Sequence, residues 1–165
     1  IGVHYYSYPK VLELSRLSKW TVCDVESVCK EGEKFAQDND AGRKLNFVTD
    51  IVHCEGYDLF IANGSLQYLE WELHSKLKEI SDKPKFLIIN MTPLHPTAKT
   101  ITLNSIGTAF CPYHLRKEVD FFNGLSNAGY EIIDIWNNEE KACSIAFESE
   151  RSINYYRGAI LKLKK

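Results

Sequence analysis

The sequence predicts an α/β fold built on a mostly parallel sheet. Segments with the periodicity of amphipathic helices alternate with short apolar runs, and this alternation is typical of a parallel sheet covered by helices on both faces. The clearest strand is predicted at residues 85–90, an apolar run bounded by turn residues. No helical crossover separates the two last apolar runs, residues 130–136 and 155–163, so we expect at least one antiparallel strand.

The same patterns predict the other elements. Further strands are predicted at residues 20–25, 45–49 and 57–62. Helices are predicted at residues 5–18, 69–80 and 113–127, the last ending before Gly129. Another helix is predicted to begin at a Ser27 cap and to end in the polar turn at residues 38–42.

Residues 91–112 interrupt this alternation. The segment contains Pro93, Pro96 and Pro112, many Thr and Ser residues, and no clear hydrophobic period. An irregular loop of that length within a domain is usually functional. We therefore predict a loop that acts as a lid over a ligand site.

Composition narrows the class of protein. A length of 165 residues with 44% hydrophobic residues predicts one domain over residues 1–165. The net charge of −2 argues against a dedicated nucleic-acid binder, and no apolar run is long enough to span a bilayer. The five cysteines have no zinc-ligand spacing, so we predict no metal site. Their odd number and the size of the core predict reduced thiols in a cytoplasmic protein.

Polar residues follow the predicted strands in a regular order. Asp24, Asp50 and Asn63 each end or follow a strand, and Gly2 stands where a glycine loop would run into the first helix. Because α/β sheets bind ligands beyond the carboxyl ends of their strands, these positions predict a site for a nucleotide-like cofactor. The sequence therefore indicates a cofactor-binding enzyme.

Five motifs in this order resemble a known family. They are Gly2 with residues 4–6, the strand from Trp20 to Asp24, the turn from Leu66 to Leu69, the strand end from Ile88 to Pro93, and residues 129–133 with the closing strand. Together they resemble class I S-adenosylmethionine-dependent methyltransferases, most of all a group of predicted bacterial methyltransferases linked to polysaccharide gene clusters. The resemblance implies a three-layer Rossmann-like sandwich and methyl transfer from S-adenosylmethionine to a small molecule or sugar.

The resemblance also implies roles for individual residues. Asp24 is expected to bind the ribose hydroxyls, with Glu26 as the substitute if the register differs, and Asp50 is expected to contact the adenine amino group. Asn63 belongs to a turn expected to receive the methionine ammonium. Either Tyr5 or Tyr6 is expected to bind the cofactor carboxylate while the other packs inward, and Tyr5 is slightly favoured. The full set of expected cofactor contacts is Gly2, Tyr5, Asp24, Val25, Asp50, Ile51, Asn63 and Ser65.

Candidates for the catalytic base are His95, which lies near the start of the predicted loop, and Tyr113 and His114, which directly follow it. Methyl transfer to oxygen or nitrogen often needs a base within hydrogen-bond reach of the acceptor proton. A single histidine is more often structural, and residues 95–99 also suit a lid without a catalytic side chain.

One departure from the family concerns the start of the chain. The first strand of such enzymes and the first glycines of the loop would precede Ile1, so we expect an upstream segment that completes the sheet. Two other functions stay open. One is a non-catalytic binding or scaffold module with a degenerate methyltransferase fold. The other is a nicotinamide-dependent oxidoreductase, which is less favoured because it needs an upstream glycine loop.

Overall fold

The chain divides into two units, Ile1–Cys54 and Glu55–Lys165. The computed structural model describes residues 2–10, 13, 15–39 and 44–164, and these form nine strands and four α-helices. No helix among these residues is both long enough and apolar enough to cross a membrane. The single domain that the sequence predicts over residues 1–165 stays a prediction.

The first unit contains a parallel strand pair and two helices. Strand β1 (Trp20–Cys23) pairs with β2 (Leu45–Val48), and helix α2 (Glu26–Asp38) connects them. The cap of α2 is Val25, so the predicted Ser27 cap is wrong. The apolar face of α2 begins only at Cys29, so the sequence pattern predicts the helix but not the residue at which it starts.

The predicted helix over residues 5–18 is also wrong in its extent. Helix α1 spans only Val3–Ser7 and a 3₁₀ turn, Tyr8–Lys10, follows it. Pro9 has no N–H to continue the α-helical hydrogen bonds. Residues 11, 12 and 14 lie outside the described residues.

Aromatic packing holds the first unit together. Leu45 and Ala36 are buried, and Tyr5, Tyr6, Trp20 and Phe47 are among the partly buried side chains that pack against them. On α2, Gly32 lies against the Phe47 ring, and any side chain there would overlap that ring. The helix therefore lies close to β2.

The second unit contains a mixed four-stranded sheet in the order β3-β4-β9-β8. Its strands are β3 (Leu59–Asn63), β4 (Phe86–Thr92), β8 (Tyr130–Asn138) and β9 (Tyr156–Leu163). Strands β3 and β4 are parallel, whereas β9 is antiparallel to both of its neighbours. The predicted antiparallel C-terminal strand is confirmed, but the sheets are mixed rather than mostly parallel. The expectation that a first strand is missing stays a prediction.

The segment predicted as a loop at residues 91–112 forms most of another sheet in the second unit, so that prediction is wrong. We call this three-stranded sheet the inserted sheet. Strands β5 (Leu94–His95), β6 (Thr100–Ser105) and β7 (Phe110–Lys117) pair in the order β5-β7-β6. Threonine and isoleucine alternate at the start of β6, which favours a strand. Pro112 is compatible with this because β5 pairs only with the last two residues of β7, which leaves Pro112 on an open edge. Pro93 and Pro96 lie outside the strands.

The helices of the second unit are shorter than predicted. Helix α4 spans Glu118–Asn127, because the preceding residues belong to β7 instead of a helix that begins at residue 113. Its predicted stop is confirmed, since Gly129 has a positive φ of 104°. Helix α3 spans Leu73–Glu79 and follows a separate 3₁₀ turn, Leu66–Tyr68.

Candidate functional site

Two aspartates lie at the carboxyl ends of the parallel pair in the first unit. The N–H of Asp24 donates to Val48 O at 3.1 Å, so Asp24 directly follows β1 beside the end of β2. Asp50 follows β2, and its Oδ1 accepts a hydrogen bond of 3.1 Å from Val52 N at the start of a 3₁₀ turn. Both carboxylates are exposed. The structure therefore brings these two predicted cofactor residues to one edge of the sheet.

The negative charges at this edge act on the thiol of Cys23, the last residue of β1. The pKa of Cys23 is raised to about 11 by burial first, and then by the nearby Cys54, Cys29, Asp50 and Asp24. Both aspartates thus act on the same last residue of β1. An additional anion is disfavoured there, whereas hydroxyl and amino groups that donate hydrogen bonds are favoured.

The alternative carboxylate, Glu26, is already engaged. It forms an ion pair with Lys30 at 2.7 Å, one turn along α2. Both residues line a cavity of about 350 Å³ beside the end of β2, together with Thr49 and His53. This cavity was not expected from the sequence, because its walls come from separate elements.

The other cofactor residues predicted in the first unit have different surroundings. A side chain at Gly2 would contact Leu45 and Val22, so Gly2 lies against strand side chains rather than beyond the strand ends. The Tyr5 ring packs edge-on against Trp20 with centroids 6.1 Å apart. Ile51 is buried, whereas Val25 is exposed.

The strand ends of the second unit carry an asparagine network. Asn63 ends β3 beside Asn90 of β4, and Asn90 Nδ2 donates to Asn63 Oδ1 at 3.3 Å. Asn90 Oδ1 in turn accepts hydrogen bonds from Trp136 Nε1 at 3.1 Å and from Asn138 Nδ2 at 3.0 Å. Asn63 is therefore held in place by the sheet, and Ser65, two residues later, is exposed.

Gln67 is a polar residue whose importance the sequence did not reveal. It is buried, and its Nε2 donates to Gly64 O at 2.9 Å, which fixes the orientation of the amide. Its Oε1 is buried without a hydrogen-bond partner among the described residues. A buried acceptor without a donor is costly, so this oxygen is suited to a ligand that donates a hydrogen bond. The only sequence signal was its place in the turn that resembles the family.

A polar cavity of about 280 Å³ lies within the second unit. Its hydrogen-bonding walls come from several segments of chain, and we call it the tyrosine cavity. The hydroxyl and amide side chains that line it are Tyr68, Thr102, Asn104, Tyr113, Ser144 and Tyr156, and Leu103, Ala142 and Cys143 complete the lining.

Two buried tyrosines form the inner wall of the tyrosine cavity. The hydroxyls of Tyr113 and Tyr156 are 2.8 Å apart and hydrogen-bonded. Burial raises the pKa of Tyr113, and the hydrogen bond and charge of Tyr156 raise it further. Tyr113, a predicted catalytic residue, therefore stays protonated at neutral pH and can bind a ligand but cannot act as a base.

The cavity adjoins the carboxyl ends of β3 and β4. Met91, directly after Asn90, packs against the cluster that contains Tyr113 and Tyr156. A Cβ atom at Gly64, directly after Asn63, would lie 3.6 Å from Met91 Cβ. The cavity thus lies next to the strand ends where the sequence predicted ligand binding.

The two predicted catalytic histidines are both buried, and their environments differ. His95 Nε2 donates to Glu150 O at 2.8 Å, and its Nδ1 accepts hydrogen bonds from the backbone N–H groups of Thr97 and Ala98. Both ring nitrogens are thus used to hold backbone. His114 Nε2 has no partner among the described residues, and burial, with Arg116 and Lys99, lowers the pKa of His114. His114 is therefore neutral at pH 7, on the face of β7 opposite to Tyr113.

A buried arginine holds the segment that carries Tyr68. Arg116 Nε donates to Glu72 at 2.6 Å, and its two terminal nitrogens donate to Leu66 O, Leu69 O and Trp71 O at 2.7–2.9 Å. Residues 66–72 are therefore fixed to β7. The Tyr68 ring lies edge-on to Tyr113 with centroids 5.2 Å apart, so this attachment also positions a wall of the cavity.

Metal ligands are not grouped in the part of the chain that the structure describes. No set of three or more His, Cys, Asp or Glu side chains there has the arrangement needed to hold a metal ion. All five cysteines are free thiols.

Comparison with known proteins gives structural matches only. No protein-family model and no curated protein sequence matches the chain. A predicted S-adenosylmethionine-dependent methyltransferase from Listeria monocytogenes matches 90% of this chain and 81% of its own length, with a TM-score of 0.62 and 10% identity. A S-adenosylmethionine-dependent methyltransferase from Methanosarcina mazei matches 88% of this chain and 82% of its own length, with a TM-score of 0.60 and 13% identity.

A third match is the N-terminal domain of EvdMO1, solved in the presence of SAH and D-fucose. It matches 88% of this chain and 65% of its own length, with a TM-score of 0.51 and 12% identity. At these identities the likeness establishes the fold. The chain has a methyltransferase-like α/β fold with mixed sheets.

Proposed function

We propose that this chain is a S-adenosylmethionine-dependent methyltransferase that acts on a small molecule or sugar. The observation that carries the proposal is the pair of carboxylates, Asp24 and Asp50, at the ends of two hydrogen-bonded parallel strands. In a methyltransferase-like fold, this edge is where a nucleoside with ribose hydroxyls and an adenine amino group would be bound. The link to polysaccharide gene clusters rests on the sequence resemblance alone.

The two carboxylates of the first unit fit part of this cofactor. Asp24 offers carboxylate oxygens to the ribose hydroxyls, and Asp50 offers one to the adenine amino group. S-adenosylmethionine would supply an electrophilic methyl group on its sulfonium. The free thiols agree with the proposed location in the cytoplasm.

Calorimetric titration with S-adenosylhomocysteine, the demethylated product, tests the proposal. Asp24→Ala should weaken binding at least about tenfold, the effect expected for a lost charge-assisted hydrogen-bond pair. Asp38→Ala is the matched control, because it removes an exposed carboxylate from the far end of α2. Equal affinity of the two variants and the parent chain would reject the role of Asp24. The absence of any binding heat would reject the cofactor itself.

The second candidate function is a non-catalytic binding module with the same fold. It is favoured by the state of the predicted catalytic residues. His95 uses both ring nitrogens for backbone, Tyr113 stays protonated, and His114 is buried. Binding of the cofactor without transfer of a labelled methyl group to any tested acceptor would support this alternative.

A further inference from the structure

We propose that the tyrosine cavity binds a single neutral, polyhydroxylated ring, such as one sugar residue, as the methyl acceptor. The proposal rests on the methyltransferase function proposed above and assigns that function its acceptor site. The whole cavity lies within the unit Glu55–Lys165. It adjoins the ends of β3 and β4 through Met91 and Gly64.

The size of the cavity limits the acceptor to one ring. Its volume is about 280 Å³. Pockets for small ligands usually measure roughly 300–1,000 Å³, so this cavity is at the lower end of that range. A longer oligosaccharide would extend beyond the walls into solvent.

The cavity favours a neutral ligand. None of its lining residues, as described, is an acid, a lysine, an arginine or a histidine. Burial raises the pKa of Tyr68, Tyr113, Cys143 and Tyr156, so these groups also stay uncharged near neutral pH. A charged acceptor would lose its hydration without gaining a countercharge, which is strongly unfavourable.

Hydroxyl groups on the ligand match the polar groups on the walls. Asn104 Nδ2 donates to the Tyr68 hydroxyl at 3.3 Å, which leaves the Tyr68 hydroxyl proton and the side-chain oxygen Oδ1 of Asn104 for other partners. Thr102 and Ser144 add hydroxyls that both donate and accept hydrogen bonds. A polyhydroxylated ring presents the same mixture of donors and acceptors, whereas an apolar ring would leave the walls unpaired.

The orientation of β6 supports a polar ligand. Thr102, Leu103 and Asn104 all line the cavity, but Thr102 and Asn104 are partly buried whereas Ile101 and Leu103 are 59% and 69% exposed. Strands with one solvated face normally turn apolar residues inward and polar residues outward. On β6 the polar side chains are the more buried ones, and such departures from the usual pattern are expected at functional sites.

Ligand-detected saturation-transfer NMR on the full chain tests this proposal. The neutral probes are the methyl glycosides of glucose, mannose and fucose, and the charged probes are glucuronate and glucosamine. At least one neutral probe should bind, and neither charged probe should bind as tightly. Asn104→Ala and Thr102→Val should each weaken binding about tenfold, as expected for a lost hydrogen bond. Asn123→Ala, an exposed position on α4, should bind like the parent chain.

The same samples separate this proposal from the function on which it rests. Circular dichroism confirms that each variant is folded, and S-adenosylhomocysteine binding is measured in parallel. Binding of S-adenosylhomocysteine without any neutral glycoside would overturn the acceptor site alone. Binding of a glycoside without S-adenosylhomocysteine would overturn its role as a methyl acceptor. Equal binding by Asn104→Ala, Thr102→Val and the control would show that the probe binds elsewhere, which also overturns the proposal.

Discussion

Replacement of Arg116 by methionine should strongly destabilise the second unit. Arg116 is 3% exposed, and its guanidinium donates hydrogen bonds to Glu72 and to three backbone carbonyls of residues 66–71. Methionine has a similar length and fills much of the same volume, but it cannot donate a hydrogen bond. The substitution therefore removes the polar contacts with little change in packing.

The magnitude follows from what remains buried. Removal of one partner from a buried ion pair costs about 3–5 kcal/mol of unfolding free energy. Glu72 keeps Lys99 at 2.9 Å, which compensates part of its charge and favours the lower end of that range. The three carbonyls also lose their donors, at about 1–3 kcal/mol for each one left buried and unpaired. We therefore expect a loss of at least about 3 kcal/mol.

Urea unfolding followed by circular dichroism measures this loss. Arg116→Lys should fall between the parent and Arg116→Met, because it keeps the charge but loses the planar fork. Arg151→Met is the control, since its ion pair with Glu148 is about half exposed, and it should change stability by no more than about 0.5 kcal/mol. Amide exchange of residues 66–71 should accelerate in Arg116→Met beyond that of the sheet.

Equal unfolding free energies for Arg116→Met and Arg151→Met would contradict this prediction. Unchanged amide exchange at residues 66–71 would also contradict it. In either case the guanidinium contacts do not hold the segment, and the position of Tyr68 would depend on ring packing alone.

Three further predictions concern acid stability, His95 and metals. Burial alone would raise the pKa of Glu72, but hydrogen bonds and charges from Lys99 and Arg116 outweigh it and lower the pKa below 4.5. Its stabilising effect is therefore present above pH 4.5 and is lost as the pH falls through the lowered pKa, so Glu72→Gln should show a smaller acid-dependent loss in urea midpoints. His95→Ala should lower the unfolding free energy by about 1–3 kcal/mol, because it unpairs Glu150 O and two N–H groups, and it should leave the pH profile of methyl transfer unchanged. Treatment with a chelator should not reduce activity, and activity restored by added zinc or magnesium would contradict this.

Local signals were sufficient to predict the strands of the four-stranded sheet. Strand β4 is a continuous apolar run, and β9 follows β8 without a crossover, so both its existence and its direction could be inferred. Asp24, Asp50 and Asn63 could also be predicted from local signals, because each apolar strand run ends in a change to polar residues. Their grouping within each unit is a consequence of parallel pairing.

The inserted sheet could not be predicted from local signals. Its strands β6 and β7 depend on pairing with each other, and residues 113–117 were assigned to a helix because that pairing is not visible in the sequence. Tertiary contacts routinely override propensity in such segments. Tyr156 was missed as a site residue for the same reason, since its hydroxyl partner Tyr113 lies 43 residues away in the chain.

The inserted sheet links the stability of the second unit to its candidate acceptor site. One face of β7 carries Arg116, which fixes residues 66–72, and the other carries Tyr113, which pairs with Tyr156. Tyr68 lies between these two attachments and contacts Tyr113 by its ring and Asn104 by its hydroxyl. A change that loosens Arg116 should therefore weaken glycoside binding without altering any residue of the tyrosine cavity. Arg116→Lys, which keeps more of the fold than Arg116→Met, is the variant in which that effect is separable from unfolding.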